Sequence, residues 1–161
     1  MAEEKQTTSG DEKIAPAVAL HKIFIKDVSF ETPNSPDVFS LKWDPSIHLD
    51  MEHKVRDMGG DFCEVVLSIT ITARVEDQVA YLAEVNQAGV FSVKGFSDDE
   101  RENRKHAYCP SVLYPYICST IAELVTKGGF PQLLLNPVNF QLNYQQQKEK
   151  EAQQATAGKQ S

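Results

Sequence analysis

The sequence predicts an α+β fold in which β-strands come first and one long helix follows. Apolar and polar residues alternate with a period of two in residues 23–31 and again in residues 64–74, as expected of strands that bury one face. In residues 110–127 the apolar period changes to three or four, which is typical of an amphipathic helix. Strands that precede a helix, rather than alternating with helices, favour the α+β class.

The first strand is predicted from Ile23, and it ends at two prolines, Pro33 and Pro36, because proline offers no N–H to a strand ladder. Strict alternation gives this strand an apolar side and an acidic side. The apolar side contains Phe24, Val28 and Phe30, and the acidic side contains Asp27, Ser29 and Glu31.

An irregular stretch to about Asp61 follows, within which residues 47–52 alternate again and predict a short strand or an extended arm. The clearest strand covers residues 64–74, with Val65, Leu67, Ile69 and Ile71 facing inward. A turn at Asp77 leads into a third strand over residues 79–86, so that the two strands form a hairpin. Residues 90–94, after Gly89, form a short fourth strand or a continuation of the third.

The helix predicted over residues 110–127 places Leu113, Ile117, Ile121 and Leu124 on one face, and two glycines, Gly128 and Gly129, end it. The opposite face carries small, uncharged residues: Cys118, Ser119, Ala122 and Thr126. Because a solvent-facing helix side normally carries Lys and Glu, this face predicts an interface with a second copy of the chain. A partly exposed helix of ordinary composition is the alternative.

Size and composition fit one domain. The chain has 161 residues, of which 41% are hydrophobic, enough for a single core. Residues 1–13 and 145–161 are polar, and we expect them to be disordered or loosely helical tails around a domain at residues 14–144. The start of the chain lacks the pattern of a secretion signal, and no apolar run reaches a membrane-spanning length, so we expect a cytoplasmic protein.

Charge and cysteine content restrict the partners. A net charge of −7 argues against a nucleic-acid backbone and favours a cationic protein partner. Cys63, Cys109 and Cys118 form no C-x-x-C pair, which argues against a disulfide framework and a zinc ribbon.

The sequence predicts no catalytic residues, because it lacks the usual phosphate-loop, dinucleotide-binding, nucleophile-elbow and zinc-protease motifs. His106 and Cys109 stand three residues apart, but a metal site needs further ligands, and packing is the better interpretation. Glu123 lies off the main apolar face of the helix, where solvation or an intersubunit ion pair suits it better than catalysis. We therefore predict no metal and no cofactor.

Six segments resemble the SecB family of bacterial protein-export chaperones in order and spacing, over roughly residues 23–140. They are KDVSFETPNSP (26–36), KWDP (42–45), YLAEV (81–85), GVFSV (89–93), AYCPSVLYPY (107–116) and GGFPQLLLNPVNF (128–140). The resemblance implies a four-stranded antiparallel sheet packed on a long helix, a short C-terminal helix, and a tetramer made of two dimers. It also implies an ATP-independent holdase that delivers unfolded precursor proteins to the motor ATPase SecA.

Two sets of site residues follow from the resemblance. Asp27, Glu31, Leu82 and Glu84 match the surface that docks the basic, zinc-bearing tail of SecA; without the resemblance, solvation of a sheet face would explain these carboxylates better. The residues Trp43, Ile47, Leu49 and Met51 match the arm and groove that hold unfolded clients, although Trp43 also fits a core position. The segment after Phe140 has fewer apolar residues than the family's final helix.

Two other functions compete with the export chaperone. One is a SecB-like chaperone that serves a toxin–antitoxin pair, which has no need for a SecA-docking surface. The other is a small thioesterase or isomerase built on a similar sheet and helix, which requires a convergent catalytic set at a subunit boundary.

Overall fold

The structure, a computed structural model, describes residues 14–159. Four antiparallel strands form one sheet in the order β1-β4-β3-β2. The strands are β1 (Ala17–Glu31), β2 (Ser46–Gly59), β3 (Phe62–Val75) and β4 (Gln78–Lys94). After the sheet come α1 (Asp98–Asn103), a π-helical segment (Arg104–Tyr108), α2 (Cys109–Lys127) and α3 (Phe140–Ala157). The α+β prediction of a four-stranded antiparallel sheet with a long helix and a C-terminal helix is confirmed.

The core lies between α2 and one face of the sheet. On β3 the odd-numbered residues Val65, Leu67, Ile69 and Ile71 are all fully buried, as their alternation predicts. On α2 the fully buried residues are Cys109, Leu113, Ile117, Ile121 and Val125, which repeat every four residues. Leu124, predicted on this face, is only partly buried because Val125 continues the four-residue spacing.

The third and fourth predicted strands are one continuous strand, β4, which passes through Gly89 without a break. A side chain at Gly89 would meet the Phe91 ring at 2.8 Å and Leu113 of α2 at 3.0 Å. Gly89 therefore does not end the strand; it lets the helix approach the sheet closely. The alternation at residues 47–52 likewise belongs to a full strand of 14 residues.

A bulge in β1 corrects the prediction for Phe24. Ile25 pairs with Gln87 and Asp27 pairs with Asn86, so Lys26 is an extra residue in the ladder. The extra residue reverses the alternation, because side chains change faces at every position. Phe24, opposite Ala88, therefore lies on the outward face, whereas Val28, opposite Val85, lies on the inward face as predicted.

The C-terminal segment follows the helical alternative of its prediction. Helix α3 continues to Ala157, so residues 145–157 are helical. Their Gln, Lys, Glu and Ala residues are good helix formers even where nothing is buried. The predicted tail at residues 1–13 lies outside the described residues. Within residues 14–159 no helix combines the length and the apolar character that crossing a bilayer requires.

Candidate protein-binding surfaces

The outward face of the sheet brings the four predicted docking residues together. Strands β1 and β4 are neighbours, and Glu31 lies directly opposite Leu82, while Ser29 lies opposite Glu84. Asp27 lies two residues before Ser29 on the same face. Paired strands lie about 4.8 Å apart, so the four residues form one continuous surface, which we call the acidic patch (Asp27, Glu31, Leu82 and Glu84).

The charges of the acidic patch are available to a partner. Asp27, Glu31 and Glu84 are exposed, and Leu82 is partly buried between them. In the described part of the chain, none of the three carboxylates forms an ion pair. A cationic partner would thus meet unpaired negative charges around one apolar side chain.

The sequence analysis did not include the carboxylates of β2 that extend this surface. Asp50 and Glu52 line a cavity of about 480 Å³ together with Thr70 and Glu84. Asp50 pairs with Thr70, and Thr70 pairs with Glu84, so carboxylates of β2 and β4 lie on one surface that crosses three strands, with Lys54 as a cation among them. The alternation within residues 47–52 already separated these carboxylates from the apolar side chains; what the sequence did not reveal was the order of the strands.

The inward face of β2 forms an apolar groove, because α2 does not cover this edge of the sheet. Ile47, Leu49 and Met51 face residues 133–138 across a cavity of about 360 Å³, which we call the client groove. Ile47 and Leu49 remain 38% and 39% exposed. Three of the four predicted client residues therefore lie side by side.

Trp43 lies outside the residues that line the client groove, in an aromatic cluster before β2. The centroid of its ring is 5.5 Å from that of Phe130, and the centroid of the Phe39 ring is 5.1 Å from that of Phe130. Phe39 is half exposed, while Phe130 is buried. The sequence analysis missed Phe39 and Phe130, although an exposed aromatic side chain in a loop and the GGF sequence at Gly128 are signals of such a cluster.

The back face of α2 (Cys118, Ser119, Ala122 and Thr126) is open. Ser119 and Thr126 are exposed, and Cys118 and Ala122 are partly buried. The four residues line a cavity of about 530 Å³ with Leu134, which is 75% exposed. A large apolar side chain beside a small-residue helix face is a combination that suits a close protein contact.

Cys109 and His106, which were considered for a metal site, have surroundings that suit packing. Cys109 is fully buried, and burial raises the pKa of its thiol to about 12, so the thiol is protonated near neutral pH and is a poor nucleophile. His106 contacts His53 and Glu102 rather than Cys109. Among residues 14–159, no three His, Cys, Asp or Glu side chains are grouped to hold a metal ion.

Comparisons with known proteins agree with the fold. The family model described as SecB, preprotein translocase subunit SecB, matches residues 11–151. A protein-export protein SecB from Methylococcus capsulatus is 47% identical over 137 residues, which cover 85% of this chain and 88% of that protein. A protein-export protein SecB from Pseudomonas fluorescens strain Pf0-1 is 40% identical over 147 residues, covering 91% of each chain.

A solved structure is also similar. The SecB-like chaperone of Mycobacterium tuberculosis, determined in complex with a peptide from the HigA1 antitoxin, superposes with a TM-score of 0.64 over 75% of this chain and 90% of that chain. Its sequence identity is 16%, so the likeness concerns the fold.

Proposed function

The chain belongs to the SecB family, and on that basis we propose that it is an ATP-independent holdase that binds unfolded precursor proteins and keeps them competent for export. One observation carries the proposal: the inward side chains of β2 line an apolar groove that the chain leaves open, with Ile47 and Leu49 more than a third exposed. Because precursors must be held before they cross a membrane, we place this activity in the cytoplasm.

The groove suits many clients because its chemistry is simple. Leu, Ile and Met side chains adapt to different apolar partners, and a surface of this kind selects for unfolded chains, which alone expose enough apolar residues. Burying about 1,000 Å² of client surface contributes about 25 kcal/mol in gross terms. Ordering of the client offsets most of this gain, which allows release without ATP.

We further propose that the acidic patch docks the basic, zinc-bearing tail of SecA. The support is the adjacency of Asp27, Glu31, Leu82 and Glu84 on neighbouring strands and the lack, within residues 14–159, of ion-pair partners for the three carboxylates. The patch and the client groove lie on opposite faces of the sheet, so a client and SecA would bind at the same time.

The test of holding measures light scattering from a chemically denatured precursor that is diluted into buffer. We expect the purified protein to suppress aggregation to the same extent with and without ATP. Suppression that requires ATP, or no suppression at any excess of the protein, would contradict the holdase assignment.

A tetramer made of two dimers is the proposed assembly, with the back face of α2 as the contact between copies. Introducing a charge by Ala122→Glu should lower the mass in solution below four times the 18.0 kDa of one chain, because the carboxylate would be buried without a partner. Ala152→Glu, the same change on the exposed surface of α3, is the matched control and should leave the mass unchanged. An unchanged mass for Ala122→Glu would place the contact elsewhere.

A chaperone for a toxin–antitoxin pair is the second candidate, suggested by the antitoxin peptide in the mycobacterial structure. The export function is the better supported of the two, since the relatives that share 40–47% of their residues with this chain are protein-export proteins. An enzymatic role has no comparable support, and we propose binding without catalysis.

A further inference from the structure

His106 connects the sheet to the last helix. Its Nδ1 lies 2.9 Å from Nε2 of His53 on β2, and its ring is stacked on the ring of Tyr144 on α3, with 6.3 Å between centroids and 10° between planes. His106 is the central residue of the π-helical segment, and such wide turns often mark functional positions. Three elements that are distant in sequence thus meet at one imidazole ring.

The contacts of His106 define where its proton lies. Glu102 places Oε2 at 3.4 Å from His106 Nε2, and a carboxylate accepts hydrogen bonds, so the proton belongs on Nε2. Nδ1 then accepts a hydrogen bond from His53. When the two neutral rings gain one proton, one N–H donor and one acceptor nitrogen can still face each other between the rings. A second additional proton leaves two N–H groups and two positive charges facing each other.

Burial makes the pair sensitive near neutral pH. Desolvation, together with the charge of His106, lowers the pKa of His53 below its ordinary value of 6.5. The arrangement in which His53 contacts His106 therefore binds fewer protons than an arrangement in which the two rings are apart. Its stability falls as the pH drops below 6.5 and through the lowered pKa of His53.

Helix α3 has few other attachments to the fold. Phe140 is its only buried residue in the described range, and Tyr144 is partly buried. Residues 145–157 are exposed. Phe140 holds the first turn of α3 through its edge-on contact with Tyr114 of α2, and the stack of Tyr144 on His106 holds the next turn.

The pair borders a cavity that shares one residue with the client groove. A space of about 620 Å³ lies between β2, Glu102 and α3, and Met51 lines both this space and the client groove. Moving α3 would change the width of this space. Charged groups near the pair line this space from the surrounding elements: Glu102 from α1, and Lys148 and Glu151 from α3, while Glu52 of β2 borders it from the outward side of its strand. Lys105 is held by Asp57 at 2.8 Å.

We propose that the His53–His106 pair is a proton-operated latch that fastens the start of α3 to β2 and opens the cavity beside the client groove when the pair takes up protons. The latch rests on the proposed holding function, because this cavity and the client groove share Met51. Acidification would widen the cavity, whereas neutral pH would keep α3 closed over it.

Hydrogen exchange of the amides in residues 140–148 tests the latch. After correction for intrinsic rates, we expect protection in the wild type to fall about tenfold between about pH 7.5 and about pH 5.5, the range in which histidine titrates. His53→Gln should abolish this pH dependence, because glutamine donates and accepts but does not titrate. His48→Gln, on the exposed outward side of the same strand, should behave as the wild type.

Two results would overturn the latch: a wild-type protection that is flat across this pH range, or an equal fall in His53→Gln. Far-UV circular dichroism at neutral pH confirms that the variants are folded. Precursor holding at neutral pH, measured on the same samples, is independent of the latch, so a failure of holding and a failure of the latch can be distinguished.

Discussion

The acidic patch and the client groove lie on opposite faces of one sheet, and the chain forms them by different means. In the patch, charged side chains from β1 and β4 are set side by side by the strand pairing, and the surface is open and flat. In the groove, apolar side chains of β2 face a separate segment, residues 133–138, across an uncovered cavity. From this difference we expect long-range charge to govern binding at the patch and removal of apolar surface from water to govern binding at the groove.

The largest expected effect comes from removing apolar surface from the groove. Leu49→Ser combined with Met51→Ser should weaken client binding about 100-fold, because loss of two apolar contacts costs about 3 kcal/mol. Titration of a fluorescently labelled unfolded precursor measures the change, and SecA binding should stay as in the wild type.

His48→Ser combined with Asp50→Ser is the matched control, since both residues lie on the outward side of the same strand. Its client binding should equal that of the wild type. If the groove variant lost client and SecA binding together, the double substitution would have unfolded the chain rather than tested the groove.

A smaller effect is expected from reversing one charge in the patch. Glu84→Lys should weaken the docking of the SecA tail about 30-fold, since it replaces an attraction of about 1 kcal/mol by a repulsion of similar size, a change of about 2 kcal/mol. Calorimetric titration with the zinc-loaded SecA tail measures this, and aggregation suppression should be unaffected. Glu149→Lys makes the same change on the exposed side of α3 and should dock normally; unchanged docking by Glu84→Lys would falsify the patch assignment.

The smallest effect separates the two surfaces without any substitution. Raising the salt concentration from about 0.05 M to about 0.5 M shortens the range of electrostatic interactions and should weaken SecA docking about threefold to tenfold. Client binding should change less than about twofold, because apolar burial is not screened. Equal salt dependence of the two affinities would remove the distinction drawn between the surfaces.

The patch was predictable because its residues obey simple alternation within short segments. Asp27 and Glu31 follow the bulge, so their spacing stays regular, and Leu82 and Glu84 lie in an uninterrupted part of β4. The family resemblance grouped the four residues into one docking surface, but that β1 and β4 are neighbours comes from the structure. Asp50 and Glu52 were missed for the same reason: their place beside Glu84 depends on the position of β2 in the sheet.

The groove was predictable only in part. Ile47, Leu49 and Met51 carry the alternation of β2, but the aromatic cluster of Phe39, Trp43 and Phe130 is assembled by loops. Loop positions have no periodicity from which contacts can be derived. The His53–His106 contact joins residues 53 positions apart through a π-helical turn, and no sequence pattern indicates that turn.

The bulge at Lys26 has a consequence for how this strand can evolve. Residues 22–25 and residues 27–31 follow opposite phases, so losing Lys26 would rotate one of these two segments by 180° relative to the other. Asp27 and Glu31 would then point into the core, or Ile23 would point into water. A point substitution on β1 changes one side chain, whereas deletion of one residue would exchange the two surfaces of a whole segment. We therefore expect the length of β1 to vary less among relatives than its amino-acid composition.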